Sequence, residues 1–548
     1  MKANFTAPAP AGLQSDSDPN RLIPLRPGAI RTLAALIAIT ALYLPVTYTF
    51  AKNLPYWYDE FFTIHLTSLP TVGQLWAALS AGADSNPPAI YLLTKASRLA
   101  FGEGEAATRL PAIAGFLVFA LSLCLFVSRR YGYLPGILAG LFPLITAAYS
   151  YSFEARPYGF GLGCFGLALV SWQGAESTRR RPLVLLALFA GVAGILLSHC
   201  YFVFAVLPLV AGELARAIRN RRVDRGVILA MAAAFPAVLT YLPLMGGSAE
   251  LRQYSWSLPT WTKAITFFVE MLEPAVLPVF AVLALTAAAL AVNRSRGVRN
   301  SPGLTVPEIV LVATLLVLPV IEVGFSKLFT GLYTHRYSLP AIGGCAILFA
   351  IPAASWGRLR GVFGALAIVL AGLWFADLTS FRVRTDRQAW SRANPAIEFA
   401  RQVKALPELR DLPIVVTHGR LFVELMHHAP PELTSRIVYL SDEKSSLKYS
   451  GTNIYDMGFP IVQRWFAVPL NIQSYSSFVA RHPAFLVYGP DSRQNGCNEW
   501  VLCRLAEDGA EIESKDYDGV RNFTMLVFIT PRGHDLLQKT SYGSRRDE

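Results

Sequence analysis

Apolar runs of membrane-spanning length recur from residue 31 to about residue 379, and this pattern constrains the fold more than any other feature of the sequence. A backbone in lipid must satisfy its own hydrogen bonds, so such runs form helices that cross the bilayer. With 53% of 548 residues hydrophobic and only 16% charged, the chain is too apolar for a soluble protein of this length. The pattern predicts eleven spans, at residues 31–50, 110–128, 134–151, 158–175, 183–198, 200–215, 227–245, 274–292, 307–325, 338–355 and 361–379.

Composition divides the chain into three parts. Residues 1–30 are polar and rich in proline, and we expect them to form a cytoplasmic N-terminal tail. Residues 31–379 hold all the predicted spans. In residues 380–548 charges become frequent and apolar runs shrink to strand length, which predicts a soluble α/β domain. Its strands are predicted at 413–417, 436–440, 484–488 and 523–529, and its helices at 396–403, 421–427 and 498–507.

The distribution of positive charge predicts the orientation of the spans. The net charge is +12, and arginines collect in short loops between apolar runs, which is typical of loops retained in the cytoplasm. This placement argues against a nucleic-acid partner. Alternation of eleven spans then puts every Arg-rich loop inside and the C-terminal domain outside. Cys497 and Cys503 of that domain could form a disulfide if Cys497 precedes the helix, and the sequence leaves this open.

The first outer loop, residues 51–109, decides this topology. Its apolar stretch at 87–101 contains Lys95 and Arg98 and is too short and too charged to span a bilayer. Counting it as a span would invert every later loop. We therefore predict an amphipathic helix on the outer membrane surface there, with a second surface helix at 71–80.

Acidic side chains gather at this outer surface. Two adjacent carboxylates, Asp59 and Glu60, follow the first span, and a third acid, Asp84, lies further along the loop. Carboxylates there can act as a general base or hold a metal ion. The outer ends of other spans add cationic and aromatic side chains, namely Arg109, Arg156, Tyr158, His199, His335, Arg336 and Tyr337. We expect one cavity in which a carboxylate deprotonates a hydroxyl while arginine stabilises a departing lipid phosphate.

Five short motifs follow one another along the chain: Asp-Glu at 59–60, an acid before Asn-Pro-Pro at 84–88, Arg-Leu-Pro at 109–111, Glu-Ala-Arg-Pro-Tyr at 154–158 and His-Arg-Tyr at 335–337. This series resembles the GT-C membrane glycosyltransferases of bacteria, relatives of the protein O-mannosyltransferases and of the lipid A aminoarabinose transferase. The resemblance covers residues 30–380. It implies a polytopic α-helical GT-C fold, with two juxtamembrane helices in the first outer loop and an extracytoplasmic α/β domain after the spans.

The resemblance implies an inverting glycosyltransferase in the bacterial cytoplasmic membrane. Such an enzyme moves a sugar from a polyprenyl-phosphate carrier to an acceptor hydroxyl at the periplasmic face. Asp59 matches the family's catalytic base and Glu60 matches its neighbour. Arg156, His335 and Arg336 match positions that face the donor phosphate.

The same resemblance bears on cofactor and acceptor. Asp84 matches a second acid of the loop that is sometimes linked to metal in the family. A divalent metal ion is therefore a candidate cofactor, with Asp84 and His335 as candidate ligands. No ligand spacing requires it. The C-terminal part shows no sign of the β-trefoil module of eukaryotic protein mannosyltransferases. This favours lipopolysaccharide or another envelope glycan over a protein as acceptor.

Two other functions stay open at this point. A transporter or flippase of a lipid-linked glycan would use the same carrier, but transporters place polar groups near mid-membrane in repeated halves. Here the acids within spans lie near span ends and the halves do not look alike. A structural or sensory protein would leave the outer-face residues unexplained. Structural roles for single residues are also open, since Asp84 could cap a helix and Arg156 could anchor a span at the headgroups.

Overall fold

Long helices form the first part of the molecule, and a mixed sheet lies in the last part. The computed structural model describes residues 27–176, 180–247, 257–293, 303–393, 411–466, 470–489, 499–515 and 524–529. The α-helices of the first part are α1 (Pro27–Asn53), α2 (Tyr58–Ser68), α3 (Val72–Ser80), α4 (Ala89–Phe101), α5 (Glu105–Tyr131), α6 (Tyr133–Leu141), α7 (Pro157–Gly174), α8 (Arg181–Ser198), α9 (Leu207–Asn220), α10 (Arg225–Ala232), α11 (Tyr241–Gly247), α12 (Trp261–Leu272), α13 (Val276–Asn293), α14 (Val306–Phe325), α15 (Ala341–Ala350) and α16 (Arg360–Ala393). Short 3-10 segments join several of them, at Phe142–Ile145, Ala147–Ser152, Cys200–Val206, Phe235–Thr240, Glu273–Ala275, His335–Ser338 and Ile351–Leu359.

Each of the eleven predicted spans coincides with a helical segment. Eight segments are long and apolar enough to cross a membrane: Gly28–Asn53, Glu105–Tyr131, Arg181–Ser198, Cys200–Asn220, Arg225–Leu244, Trp261–Val292, Val306–Thr330 and Gly361–Ser380. Two shorter apolar segments, Tyr133–Ile145 and Ala341–Gly357, occupy two more of the predicted positions. Helix α7 occupies the last one. The predicted polytopic helical class is confirmed.

The loop between α1 and α5 holds three helices rather than the two that the sequence predicts. α3 and α4 are the expected pair, and α2 is additional. Acidic residues in the first turn of α2 favour a helix start, and the Glu60 side chain accepts the backbone N–H of Trp57 at 3.2 Å. Seven of its eleven residues are buried. Helix α2 therefore lacks the division into one apolar and one polar face by which a surface helix is recognised.

Helices α5 and α7 pack closely because glycines line their contact. A Cβ on Gly115 of α5 would lie 2.4 Å from the carbonyl oxygen of Gly159 in α7, and one on Gly163 would lie 2.4 Å from that of Gly115. Small residues allow this approach between helices in lipid. The contact fixes the start of α7 against α5, and it therefore places residues 154–158 beside Arg109.

Ion pairs join helices at the opposite end of the bundle. Helix α5 (Glu105–Tyr131) is about 40 Å long, with Arg109 near its start and Arg130 near its end. There the Arg130 guanidinium pairs with Glu308 at 2.8 Å, and Arg181 pairs with Asp224 at 2.5 Å. The Arg-rich loops thus lie about one helix length from the Asp59 end of the bundle.

A six-stranded sheet lies in the C-terminal part. Its strands are β1 (Ile414–Val416), β2 (Ile437–Ser441), β3 (Ile472–Ser474), β4 (Ala484–Tyr488), β5 (Glu511–Lys515) and β6 (Thr524–Phe528). Strands β3-β2-β1-β4 are parallel, and β6 runs antiparallel between β4 and β5. The helices around it are α17 (Gly419–His428), α18 (Pro431–Thr434), α19 (Glu443–Ser445), α20 (Ile454–Trp465), α21 (Tyr475–Arg481) and α22 (Trp500–Glu507), with a π-helical turn at Ser446–Ser450. The predicted helix at 396–403 lies outside the described residues, and β3 and β5 were not predicted.

The C-terminal part packs directly on α2. Phe61 and Ile64 of α2 share one hydrophobic core with side chains of β1, β2 and α17. The rings of His427 and His428 lie 4.7 and 5.7 Å from the Phe61 ring, so these adjacent histidines are packing residues of this contact. The sheet therefore lies beside the helix that carries Asp59.

The predicted division into domains at residues 30 and 379 stays a prediction. Helix α16 runs from Arg360 to Ala393, so residue 379 lies inside a continuous helix. Cys503 is disulfide-bonded, and Cys497, its predicted partner, lies outside the described residues.

Candidate active site

Helix α2 directs its two adjacent carboxylates to different surroundings. Successive residues of an α-helix point about 100° apart, so Asp59 and Glu60 cannot share one environment. The Glu60 side chain is fully buried against α5, whereas the Asp59 side chain remains 16% exposed. Asp59 and Glu60 form one motif in the sequence, but the geometry of the helix directs their side chains to different sites.

Glu60 and Arg109 form a closed buried pair. Arg109 donates from Nε to Oε1 of Glu60 at 2.8 Å and from Nη2 to Oε2 at 2.6 Å. Its other N–H groups donate to the backbone carbonyls of Ala51, Leu54 and Pro55, and Glu60 also accepts the N–H of Ala155. These bonds join the end of α1, the start of α2, α5 and the segment before α7. This bonding favours a positioning role for both residues, and the predictions of Glu60 as catalytic and Arg109 as donor-binding stay predictions.

Asp59 contacts two arginines from distant parts of the chain. Arg336, in the turn His335–Ser338, donates from Nη1 to the Asp59 carboxylate at 2.5 Å. Arg156, just before α7, donates from Nη1 to the Asp59 backbone carbonyl at 3.0 Å. The structure thus brings three predicted site residues together, although 277 positions separate Asp59 from Arg336.

Asp84 completes this group by pairing with Arg156. Arg156 Nη1 lies 2.6 Å from Oδ2 of Asp84, and the side chains of both residues are largely buried. Burial alone would raise the pKa of Asp84, but the Arg156 guanidinium and the N–H of Ser85 more than offset it, so the pKa is lowered. Asp84 is therefore an ionised partner that orients Arg156. We call Asp59, Asp84, Arg156 and Arg336 the Asp59 cluster.

Aromatic rings support the cluster from within the bundle. Arg336 lies over the ring of Tyr158 at 5.5 Å, and the His199 ring lies 5.4 Å from Tyr158 and 4.8 Å from Tyr337. Burial, together with the nearby Arg336 and Arg156, lowers the pKa of His199 to about 3. The ring is therefore neutral. Because Nδ1 accepts the N–H of Tyr201, its hydrogen lies on Nε2.

His335 does not join the Asp59 cluster. Its Nδ1 lies 2.5 Å from Glu270, and its Nε2 lies 3.1 Å from the hydroxyl of Thr266, both on α12. A shared metal site with Asp84 does not fit, because each candidate ligand is already paired. Within the part of the chain that the structure describes, no group of three or more His, Cys, Asp or Glu side chains could hold a metal ion.

Glu154, to which the sequence predictions give no role, lies near Asp59 and Glu60. Burial, together with the nearby carboxylates Glu60 and Asp59, raises its pKa to about 8. The available signal was its position in the Glu-Ala-Arg-Pro-Tyr motif, two residues before Arg156. The side chain is mostly buried, and its Oε2 atom has no hydrogen-bond partner among the described residues.

Comparison with solved structures identifies the fold. A crystal structure of ArnT from Cupriavidus metallidurans in the apo state aligns with a TM-score of 0.55 at 12% identity, over 91% of this chain and 98% of that one. The same protein bound to undecaprenyl phosphate aligns with a TM-score of 0.50, at the same identity and coverage.

The chain has the GT-C fold. The resemblance read from the ordered motifs is thus confirmed for the architecture as a whole, since the alignment covers both the helices and the C-terminal sheet. No family model matches the sequence, and no curated protein sequence is significantly similar to it. Because a fold hosts many activities, the function of this GT-C chain has to be argued from its own site.

Proposed function

We propose that this chain is an inverting glycosyltransferase that moves a sugar from a polyprenyl-phosphate carrier to an acceptor hydroxyl. One observation carries the proposal: Arg156 and Arg336 both contact Asp59, and each has a buried Nε donor without an acceptor in the described part of the chain. Buried N–H groups are nearly always paired in folded proteins. Two unpaired guanidinium donors beside one carboxylate therefore favour a missing anionic ligand.

A phosphate satisfies these donors well. Guanidinium groups form directional, charge-assisted hydrogen bonds to phosphate oxygens. Burial on its own would lower the pKa of Arg156, but Asp84 and other neighbours raise it well above its ordinary value. The pKa of Arg336 is likewise raised, against the effect of burial, by Tyr158 and Asp59. Both groups are thus permanently cationic, as a phosphate site requires.

The surroundings also suit a prenyl chain. An apolar groove of about 300 Å³ lies among α12, α13 and α15, and its lining includes Leu272, Val282 and Phe349. Leu272 lies on the same helix as the Glu270 partner of His335, next to the turn that carries Arg336. The structure of ArnT with undecaprenyl phosphate supports a carrier of this chemical class.

In the proposed reaction, Asp59 acts as general base. Its carboxylate takes the proton of the acceptor hydroxyl while that oxygen attacks the anomeric carbon opposite the phosphate. The new carbon–oxygen bond forms as the bond from the anomeric carbon to the phosphate oxygen breaks. The carrier phosphate leaves with the electron pair, and Arg156 and Arg336 stabilise its added charge. One displacement at the anomeric carbon inverts its configuration.

The proposed setting is the periplasmic face of a bacterial cytoplasmic membrane, with an envelope glycan as acceptor. The Arg-rich loops lie at the other end of the bundle, the end that the positive-inside rule keeps in the cytoplasm. The sheet packed on α2 lies next to the approach to Asp59, where an acceptor would enter.

Replacing Arg336 tests the phosphate site. We expect Arg336→Ala to weaken the binding of undecaprenyl phosphate by about 10- to 150-fold, the effect of losing hydrogen bonds to a charged group. Arg336→Lys should bind undecaprenyl phosphate with intermediate affinity. Lysine keeps the positive charge but lacks the planar set of N–H donors with which a guanidinium group binds phosphate. Binding can be measured by native mass spectrometry of the purified chain. Arg130→Ala, at the opposite end of the bundle, is the matched control, and equal affinity in Arg336→Ala and Arg130→Ala would contradict this site.

A further inference from the structure

A second cavity adjoins the Asp59 cluster. It has a volume of about 250 Å³ and lies where α1 ends, α2 begins and the chain approaches α7. Its lining residues are Leu54, Pro55, Trp57, Glu60, Arg109, Phe153 and Glu154. We call it the Trp57 cavity. Glu154 of the lining is close enough to Asp59 and Arg336 to interact with their charges, so the cavity adjoins the Asp59 cluster on that side.

Two polar atoms of the lining have no partner. The Nε1 donor of Trp57 and the Oε2 atom of Glu154 are both buried, and no described group is within hydrogen-bond distance of either. Glu60 and Arg109, in contrast, satisfy each other and the neighbouring backbone. Buried polar atoms left unpaired cost free energy, so an unpaired donor and an unpaired acceptor on residues that line one cavity favour a polar ligand.

The side chains that line the cavity indicate the chemical class of that ligand. Trp57 and Phe153 offer apolar aromatic surface, while Trp57 and Glu154 offer one hydrogen-bond donor and one carboxyl group. A sugar ring combines an apolar C–H surface with hydroxyls that both donate and accept. Resting on the proposed function, we infer that the Trp57 cavity binds the sugar of the donor lipid. Hydroxyls of the sugar would form hydrogen bonds with the side chains of Trp57 and Glu154. The anomeric carbon would then lie between Asp59 and the phosphate.

The C-terminal part holds the tryptophan in place. The guanidinium of Arg420, in α17, lies over the Trp57 ring at 5.6 Å. Such a contact between a guanidinium group and an aromatic ring is attractive and favours this position of the ring. The sheet domain thereby contributes to the sugar subsite without contacting the sugar.

The protonation state of Glu154 makes the sugar contact depend on pH. The charged groups that face it are Glu60 and Asp59 from α2, Arg109 from α5 and Arg336 from the turn before α15. With a pKa of about 8, the carboxyl group is protonated at neutral pH and both donates and accepts. Above pH 8 it ionises and only accepts, so the sugar contact should weaken as the pH rises.

The test compares carriers with and without a sugar on the full-length chain in lipid nanodiscs. The probes are undecaprenyl phosphate and synthetic undecaprenyl phosphate glycosides bearing glucose, galactose, mannose or arabinose. We expect wild type to bind at least one glycoside about tenfold tighter than undecaprenyl phosphate, the effect of one added polar contact. Trp57→Ala and Glu154→Ala should abolish this preference and bind undecaprenyl phosphate like wild type.

The remaining outcomes separate this inference from the proposed function. Trp261→Ala, which removes an exposed tryptophan that also has a cation over its ring, should keep the preference. Glu154→Gln should keep it at neutral pH and lose the decline above pH 8. Two outcomes would overturn the sugar subsite alone. Either both alanine variants still bind the glycoside more tightly than undecaprenyl phosphate, or wild type binds no glycoside more tightly than undecaprenyl phosphate. Failure of undecaprenyl phosphate itself to bind would overturn the proposed function and the subsite together.

Discussion

Asp59→Asn is expected to slow sugar transfer by about 10²–10⁴-fold, the usual contribution of a general base. Asparagine has the same shape and its carbonyl oxygen can still accept the hydrogen bond from Arg336, so the fold and the phosphate site should persist. Only the ability to take a proton is lost. The donor lipid can be isolated from cells that lack the chain, in which it should accumulate. The rate of transfer is then measured as the loss of sugar from this lipid.

Asp224→Asn is the matched control for this variant. Asp224 is also an aspartate paired with an arginine at 2.5 Å, and its side chain is 20% exposed, close to the 16% of Asp59. It lies at the other end of the bundle. We expect Asp224→Asn to transfer sugar within a few-fold of wild type. Asp59→Asn that works as fast as Asp224→Asn would remove Asp59 as the base.

Glu60→Gln is expected to destabilise the protein by about 3–5 kcal/mol, the effect of leaving one charge of a buried pair uncompensated. The Arg109 side chain is 2% exposed and keeps only neutral carbonyl partners in this variant. Thermal unfolding of the purified chain measures the loss. The double variant Glu60→Gln/Arg109→Gln should be less unstable than the sum of the two single variants, because it removes both charges.

Glu103→Gln provides the comparison for Glu60→Gln. Glu103 pairs with Arg98 at 3.6 Å with its side chain 85% exposed, and we expect its loss to change the unfolding free energy by less than about 1 kcal/mol. A Glu60→Gln protein as stable as wild type but unable to transfer sugar would contradict the positioning role. That result would restore Glu60 to the reaction itself.

The membrane part of the fold was predictable because its pattern is local. Long apolar runs report helices without reference to their neighbours, and the eleven predicted spans coincide with helical segments. Helix α2 was missed because most of its residues are buried, so it lacks the polar face that marks a surface helix. Strand β3 has three residues, too few for a period-two pattern, and β5 (Glu511–Lys515) carries charges along an edge strand.

The site was predictable as a set of motifs, while the direction of each side chain was not. The motifs placed Asp59, Arg156 and Arg336 at one membrane surface, and in the structure the three residues are in contact. Nothing local indicated that Glu60 faces α5 or that His335 turns to α12, because both depend on contacts between distant segments. Glu154 was overlooked because its burial, rather than its residue type, makes it unusual.

The most direct test of the central claim is mass spectrometry of envelope glycans and carrier lipids in three strains. These are a strain lacking the chain and the same strain complemented with wild type or with Asp59→Asn at matched membrane levels. Our account predicts that the deletion strain loses one sugar from an envelope glycan and accumulates a polyprenyl phosphate bearing that sugar. Wild type should reverse both changes, and Asp59→Asn should reverse neither. Full restoration by Asp59→Asn would contradict catalysis and favour transport of the lipid-linked glycan, and unchanged glycans in the deletion strain would contradict the account altogether.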